Sequence, residues 1–177
     1  MVSPNTNPQQ LETKWKPPDH GVIKINSDAA ICGNNTVGLG GIMRDKVGDV
    51  VASTCLCLRG KYDVDVAEAL ALRHALNISL DLGFRKVCLE TDCLKLHSHL
   101  SKGNAPSTVI GMVVNDIIQL ARGCHSCSFS FVKRSGNCVA HELAKLSSSF
   151  VELRVLMEEV PSGISSFVMA DLASSFE

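Results

Sequence analysis

Residues 23–30 read Ile23-Lys24-Ile25-Asn26-Ser27-Asp28-Ala29-Ala30 and predict the first strand of the protein. Apolar Ile23 and Ile25 alternate with polar neighbours, and alternation with a period of two predicts a β-strand. Asp28 then lies toward the carboxyl end of this strand. In an open sheet that edge is where ligands bind, so this carboxylate is a candidate functional group.

The residues that follow predict two further strands. Glycines at 38, 40 and 41 punctuate the chain before Ile42-Met43-Arg44, and a turn around Gly48-Asp49 precedes the apolar run 50–58. Short apolar runs separated by turn residues are typical of strands that pair with their sequence neighbours. We therefore expect an antiparallel meander of three strands.

Helical periodicity begins after Asp65, a candidate N-cap, and ends at Gly83, with Glu68 in the first turn. Residues 86–91 form a short apolar run that predicts a fourth strand ending at Asp92. Helical patterns follow at 94–100 and from 106 to 120, then a strand at 128–132 and a helix from Asn137 to about 150. The predicted order is three strands, helix, strand, helices, strand, helix.

Composition bounds the class of protein. The 177 residues are 45% hydrophobic and 20% charged, with a formal charge of −1, so one globular domain is expected and no global field favours nucleic acid or an anionic membrane. The sequence contains no apolar run long enough to span a bilayer, and its start lacks the pattern of a signal peptide. We interpret the eight cysteines as reduced thiols, which favours the cytosol or the nucleus.

Residues 1–18 are expected to be a flexible arm or linker, 19–150 the domain, and 151–177 a tail.

Three carboxylates are candidates for a metal site. Strands joined through a helix tend to be parallel, so Asp28 and Asp92 would converge at one edge of the sheet, and Glu68 could join them from the intervening helix. The nearby sequence offers no obvious basic partner. Oxygen ligands of this kind suit Mg²⁺ or Mn²⁺, and two such ions can support phosphodiester hydrolysis. The alternative is that each acid merely ends a strand or caps a helix.

Several blocks together carry a family resemblance. They are Ile25-Asn26-Ser27-Asp28-Ala29-Ala30, Gly40-Gly41-Ile42-Met43-Arg44-Asp45, Ala67-Glu68-Ala69, Glu90-Thr91-Asp92 and Arg134-Ser135-Gly136-Asn137-Cys138-Val139-Ala140-His141-Glu142-Leu143-Ala144-Lys145. In this order they resemble the plant ribonuclease H-like family, which is related to the ribonuclease H domains of retroelement reverse transcriptases. The resemblance covers about Trp15 to Ser149. It implies an α/β, ribonuclease H-like fold with a mixed five-stranded sheet flanked by helices on both faces.

The resemblance also implies roles for individual residues. Asp28 corresponds to the family's aspartate that bridges two metal ions, and Glu68 and Asp92 correspond to the pair that completes the second ion's shell. The fourth acidic position of the active enzymes corresponds to His141. A neutral imidazole can ligate Mn²⁺ but is a poor ligand for Mg²⁺, so this departure predicts weak or metal-restricted activity.

The function so implied is a metal-dependent endoribonuclease that cleaves RNA, above all the RNA strand of an RNA–DNA hybrid, by a two-metal mechanism. Lys133 and Arg134, between the last strand and the last helix, are candidate phosphate contacts, although such a pair can also be plain surface charge. The alternative is a domesticated retroelement domain that binds nucleic acid or a protein partner and has lost useful catalysis. The change at His141 favours that alternative, and the three retained acids argue against it.

Overall fold

A six-stranded mixed sheet with helices on both faces forms the centre of the molecule. The structure, a computed structural model, describes residues 11–177, and the strands follow the spatial order β5-β4-β1-β2-β3-β6. The elements are β1 (Ile23–Cys32), β2 (Thr36–Arg44), β3 (Val50–Arg59), α1 (Val64–Asp81), β4 (Lys86–Thr91), α2 (Leu94–Lys102), α3 (Val109–Ala121), β5 (Ser126–Phe131), α4 (Cys138–Leu146), β6 (Arg154–Met157) and α5 (Ser165–Ser175). Single 3₁₀ turns precede and follow α4, at Arg134–Gly136 and Ser147–Ser149.

Strand pairing confirms the predicted meander and the predicted neighbours of β1. β1 pairs antiparallel with β2, and β2 with β3, while β4 joins the other side of β1 in parallel, with Ile25 opposite Leu89. β5 continues the sheet in parallel beside β4. A parallel pair needs a crossover connection, and α1 supplies the one between β3 and β4.

Two hydrophobic cores lie on the two faces of the sheet. Ile42 and Met43 are neighbours in β2, and because successive side chains point to opposite faces of a strand, they belong to different cores. Met43 packs in the larger core with residues of α1, α2 and α3, and Ile42 packs in the smaller core with residues of α4 and α5. The predicted α/β fold with helices on both faces is thereby confirmed.

Glycines in β2 allow α4 to lie directly on the sheet. A Cβ at Gly40 would meet the carbonyl oxygen of Ala140 at 2.7 Å and would also collide with the backbone nitrogen of Ala144. Gly38, two residues earlier on the same face, would collide with the carbonyl oxygen of Ala144. The close approach matters for function because α4 carries His141.

The strand count differs from the expected five. The additional strand is β6, which lies inside the segment predicted as a tail. It pairs antiparallel with Ala52–Cys55 of β3. A strand of four residues is too short to show a period, which is why the sequence did not reveal it.

Helix boundaries also differ from the predictions. α1 begins at Val64, because the extended Asp63 is its N-cap and its carbonyl accepts the N–H of Ala67 at 2.9 Å. α3 begins at Val109 and not at Pro106, since the side chain of Thr108 caps it by accepting from the N–H of Gly111.

The described part of the predicted arm packs against the domain. Trp15 is completely buried, and its indole Nε1 donates to Oδ1 of Asn26 at 3.0 Å. Residues 1–10 of that arm lie outside the described residues. Among the helices of residues 11–177, none has the length and apolar character needed to cross a membrane.

Candidate active site

The three predicted carboxylates meet at the carboxyl ends of β1 and β4. Asp28 lies on β1 with no exposed surface, Asp92 follows β4 directly, and Glu68 reaches them from α1. One ligand oxygen from each of the three lies within 4.8 Å of the others. The parallel pairing of β1 with β4 accounts for the convergence, because both strands end at the same edge of the sheet.

The cluster has the properties of a cation site. Oδ1 of Asp28 and Oε2 of Glu68 are buried, and neither has a hydrogen-bond partner among the described residues. Burial and the neighbouring charge of Asp28 raise the pKa of Glu68 to about 10, and burial also raises the pKa of Asp92. Three carboxylates this close can all be ionised only beside positive charge, and an all-oxygen donor set suits a hard divalent cation such as Mg²⁺ or Mn²⁺. The residues present therefore fit the metal that the fold family implies.

His141 lies beside this cluster. Its Nδ1 is 2.7 Å from Oδ2 of Asp28, and its side chain is half-buried. Its neighbour Glu142 is turned away and binds Lys145 at 3.0 Å, as the helical rotation of about 100° per residue requires. The first turn of α4 thus directs an imidazole, and not a carboxylate, at Asp28.

Arg134 occupies a place that the sequence did not predict. Its Nε donates to Oδ2 of Asp92 at 2.6 Å, and its Nη1 lies 2.9 Å from Nδ1 of His141 and 3.9 Å from Oδ2 of Asp28. The nearby sequence offers the carboxylates no basic partner, and the folded chain supplies one from Arg134. The partner was missed because it is 42 residues from Asp92 in the sequence and reaches the cluster only through the packing of the turn before α4.

Lys133 is exposed and lies outside the carboxylate cluster. Its backbone N–H donates to the carbonyl of Glu12, and the residue lines a concavity of about 500 Å³. Lys14 and Lys16, from the segment before β1, line the same concavity. The structure thus gathers three lysines next to the turn that holds Arg134.

A buried polar network supports the turn before α4. Nδ2 of Asn137 donates to the carbonyl of Ser27 at 3.0 Å, and its Oδ1 accepts from Nδ2 of Asn26 at 3.2 Å. The same Asn26 amide donates to Glu90 at 2.9 Å. Asn137 is the N-cap residue of α4, as predicted, but its side chain makes no capping hydrogen bond and joins α4 to β1 instead. One sequence signal for this network was available. The alternation in β1 places Asn26 on the same face as Asp28, which predicts that Asn26 lies close to the site.

Comparison with known proteins assigns the chain to a family. A family model described as reverse transcriptase-like matches residues 26–147, more than half of the chain, and the match includes all three carboxylates and His141. The chain belongs to the reverse transcriptase-like family. No curated protein sequence matches it significantly.

Solved structures show which fold this reverse transcriptase-like chain has. Ribonuclease H1 from the halophilic archaeon Halobacterium salinarum aligns with a TM-score of 0.67 at 23% identity, over 72% of this chain and 98% of the archaeal one. The N-terminal ribonuclease H domain of a Mycobacterium tuberculosis protein aligns with a TM-score of 0.65 at 20% identity, over 72% and 94% of the two chains. LC11 ribonuclease H1, solved in complex with an RNA/DNA hybrid, aligns with a TM-score of 0.62 at 20% identity, over 70% and 94%. The fold is therefore that of ribonuclease H.

Proposed function

We propose that the chain is a divalent-metal-dependent endoribonuclease of the ribonuclease H type, which hydrolyses the RNA strand of RNA–DNA hybrids with two metal ions. The observation that carries the proposal is the convergence of Asp28, Glu68 and Asp92 within 4.8 Å at the edge of a ribonuclease H fold. Structural ion pairs rarely gather three buried acids in this way, because each uncompensated carboxylate is costly to bury.

The proposed ligands are the three carboxylates, with His141 at the fourth position. Divalent ions at such a cluster supply an activated water and stabilise the departing oxygen in phosphodiester hydrolysis. The chain contributes a rigid frame: β1 and β4 hold Asp28 and Asp92, and the glycines of β2 let α4 bring His141 against Asp28. We expect Mn²⁺ to support the reaction better than Mg²⁺, because an imidazole suits the softer ion.

Basic residues beside the cluster are the proposed contacts for nucleic-acid phosphates. Lys133 and Arg134 were identified from the sequence, and Lys14 and Lys16 share the concavity that Lys133 lines. Phosphate contacts position a nucleic acid without reading its sequence. The complex of LC11 ribonuclease H1 with an RNA/DNA hybrid supports this choice of ligand.

A second candidate function is a nucleic-acid or protein binding module without useful catalysis. His141 at the fourth position and the ion pair of Arg134 with Asp92 favour it, because both weaken the cluster as a site for Mg²⁺. The two functions differ in what happens when a single carboxylate is removed.

The deciding experiment is cleavage of an end-labelled RNA–DNA hybrid in Mg²⁺ and in Mn²⁺, with single-stranded RNA, duplex RNA and duplex DNA as controls. We expect Asp28→Asn to lower hybrid cleavage by at least about a hundredfold, since the proposed shared ligand loses its charge. The matched control is Asp116→Asn, an exposed aspartate on α3 that pairs with Arg73. Cleavage that survives Asp28→Asn would show that the site is wrongly assigned. Absence of cleavage in the unmodified protein would favour the binding module.

A further inference from the structure

The guanidinium of Arg134 lies among the groups that the proposed function assigns to metal binding. It donates to Asp92 at 2.6 Å, contacts His141 at 2.9 Å and lies 3.9 Å from Asp28. No other arginine or lysine among the described residues makes an ion pair with Asp28 or Asp92. One permanent positive charge thus touches two of the three clustered acids and the residue at the fourth position.

This charge cannot be removed by a change of pH. Desolvation opposes the charged form, but the carboxylates of Asp28 and Asp92 outweigh it and raise the pKa of Arg134, which is already above the range in which proteins function. Oδ2 of Asp92 already accepts a charge-assisted hydrogen bond at 2.6 Å, so a metal ion bound there would share that oxygen with the guanidinium. A divalent ion on the same carboxylates would also repel the guanidinium.

We propose that Arg134 is an internal counter-ion that competes with divalent cations for the carboxylate cluster, so that metal binding requires its side chain to move out. The inference rests on the proposed function, because it takes Asp28, Glu68 and Asp92 as the metal ligands. It assigns the arginine a role different from the phosphate contact that the sequence indicated, although a displaced guanidinium is free to make that contact as well.

The surroundings of Arg134 allow the side chain to move while its backbone stays fixed. The side chain of Arg134 is 59% exposed, whereas that of Asp28 is 0% and that of Asp92 is 5% exposed, so water surrounds the arginine far more than the acids. The backbone is held on both sides. Gly136 N–H donates to the carbonyl of Lys133 at 2.8 Å, and the hydroxyl of Ser135 donates to the carbonyl of Thr13.

The test is calorimetric titration of Mg²⁺ and Mn²⁺ into the full chain and three variants. Arg134→Gln removes the competing charge, and we expect it to bind both ions about tenfold more tightly than the unmodified protein. Arg73→Gln is the matched control, because this arginine of α1 pairs with Asp116 and with none of the three acids, and it should change affinity less than twofold. Asp28→Asn should lose binding.

A spectroscopic measurement follows the arginine itself. In ¹⁵N-edited NMR spectra, the Nε–H signal of Arg134, assigned by its absence in Arg134→Gln, should shift on addition of diamagnetic Mg²⁺ as the bond to Asp92 breaks.

An unchanged or weaker metal affinity in Arg134→Gln, with binding lost in Asp28→Asn, would overturn the inference and leave the metal site intact. Equal affinities in all four proteins, or no binding in any, would overturn the metal site and the inference together.

Discussion

At the scale of single residues, the metal preference that we propose depends on His141. Its Nδ1 lies 2.7 Å from Asp28, where a fourth carboxylate would complete a hard, all-oxygen site. An imidazole there adds no negative charge and prefers softer ions. We therefore propose that this one side chain sets the metal preference of the site.

His141→Asp should raise Mg²⁺-supported cleavage of an RNA–DNA hybrid by about tenfold, which corresponds to about 1.4 kcal/mol of barrier. Initial rates in Mg²⁺ and in Mn²⁺ measure the effect, with Glu142→Asp as the neighbouring control on the same helix. The variant should also melt at a lower temperature in EDTA, because it places a further carboxylate beside Asp28. No gain in Mg²⁺ would mean that His141 does not face the ion.

His74 gives a pH-dependent prediction away from the site. It lies on α1, 2.8 Å from the hydroxyl of Thr54, and burial lowers its pKa to about 4. In the unfolded chain this ring takes up a proton near pH 6.5, whereas in the folded protein the ring stays neutral until about pH 4. The free energy of unfolding should therefore fall as the pH drops from about 6.5 to about 4, by up to about 1.4 kcal/mol per pH unit.

Urea unfolding between pH 7 and pH 4.5 checks this sign when the protein is compared with His74→Gln, which cannot take up the proton. The variant should lose less stability over that range. An NMR titration should place one histidine ring near pKa 4. If the ring of His74, assigned by its absence from the His74→Gln spectrum, titrates near 6.5 in the folded protein, the prediction is wrong.

At the scale of elements, the contact between β2 and α4 sets the geometry of the site. Asp28 lies opposite Gly40 in the β1–β2 ladder, and the missing side chain at Gly40 lets α4 cross directly above. A larger residue would lift α4 and with it His141. The glycine therefore links sheet packing to the position of a functional side chain.

Gly40→Ala should lower the free energy of unfolding by about 1–3 kcal/mol, the usual cost of overpacking. It should also weaken Mn²⁺ binding, because α4 carries His141 away from Asp28. Gly33→Ala is the control, since a Cβ there would meet nothing within 4 Å. Equal stability of the two variants in urea titrations would show that α4 can adjust without cost.

At the scale of the whole molecule, residues near the two ends of the described chain pack against each other. The guanidinium of Arg44, fully buried on β2, stacks 3.9 Å above the ring of Trp15 and binds Asp171 of α5 at 2.8 Å. The hydroxyl of Ser175 donates to the carbonyl of Trp15. Residues predicted as an arm and as a tail thus meet on one face of the sheet.

Asp171→Ala should lower the free energy of unfolding by about 3–5 kcal/mol, because it leaves a buried charge without its partner. Asp116→Ala breaks an exposed pair of the same type, with Arg73, and should cost less than about 1 kcal/mol. Thermal and chemical unfolding of the two variants give the comparison. Equal losses would mean that the buried pair does not fasten α5 to the sheet.

The order of the elements from β1 to α4 and the positions of the three carboxylates could be predicted from the amino-acid pattern alone. The alternation around Ile25, the helical period of α1 and the position of acids at strand ends are local properties, and local sterics and burial fix them. The sixth strand, the buried Trp15 and the partnership of Arg134 with Asp92 were decided only by the tertiary structure. They join residues far apart in the chain, and the energy of such contacts depends on packing and burial that no local pattern records.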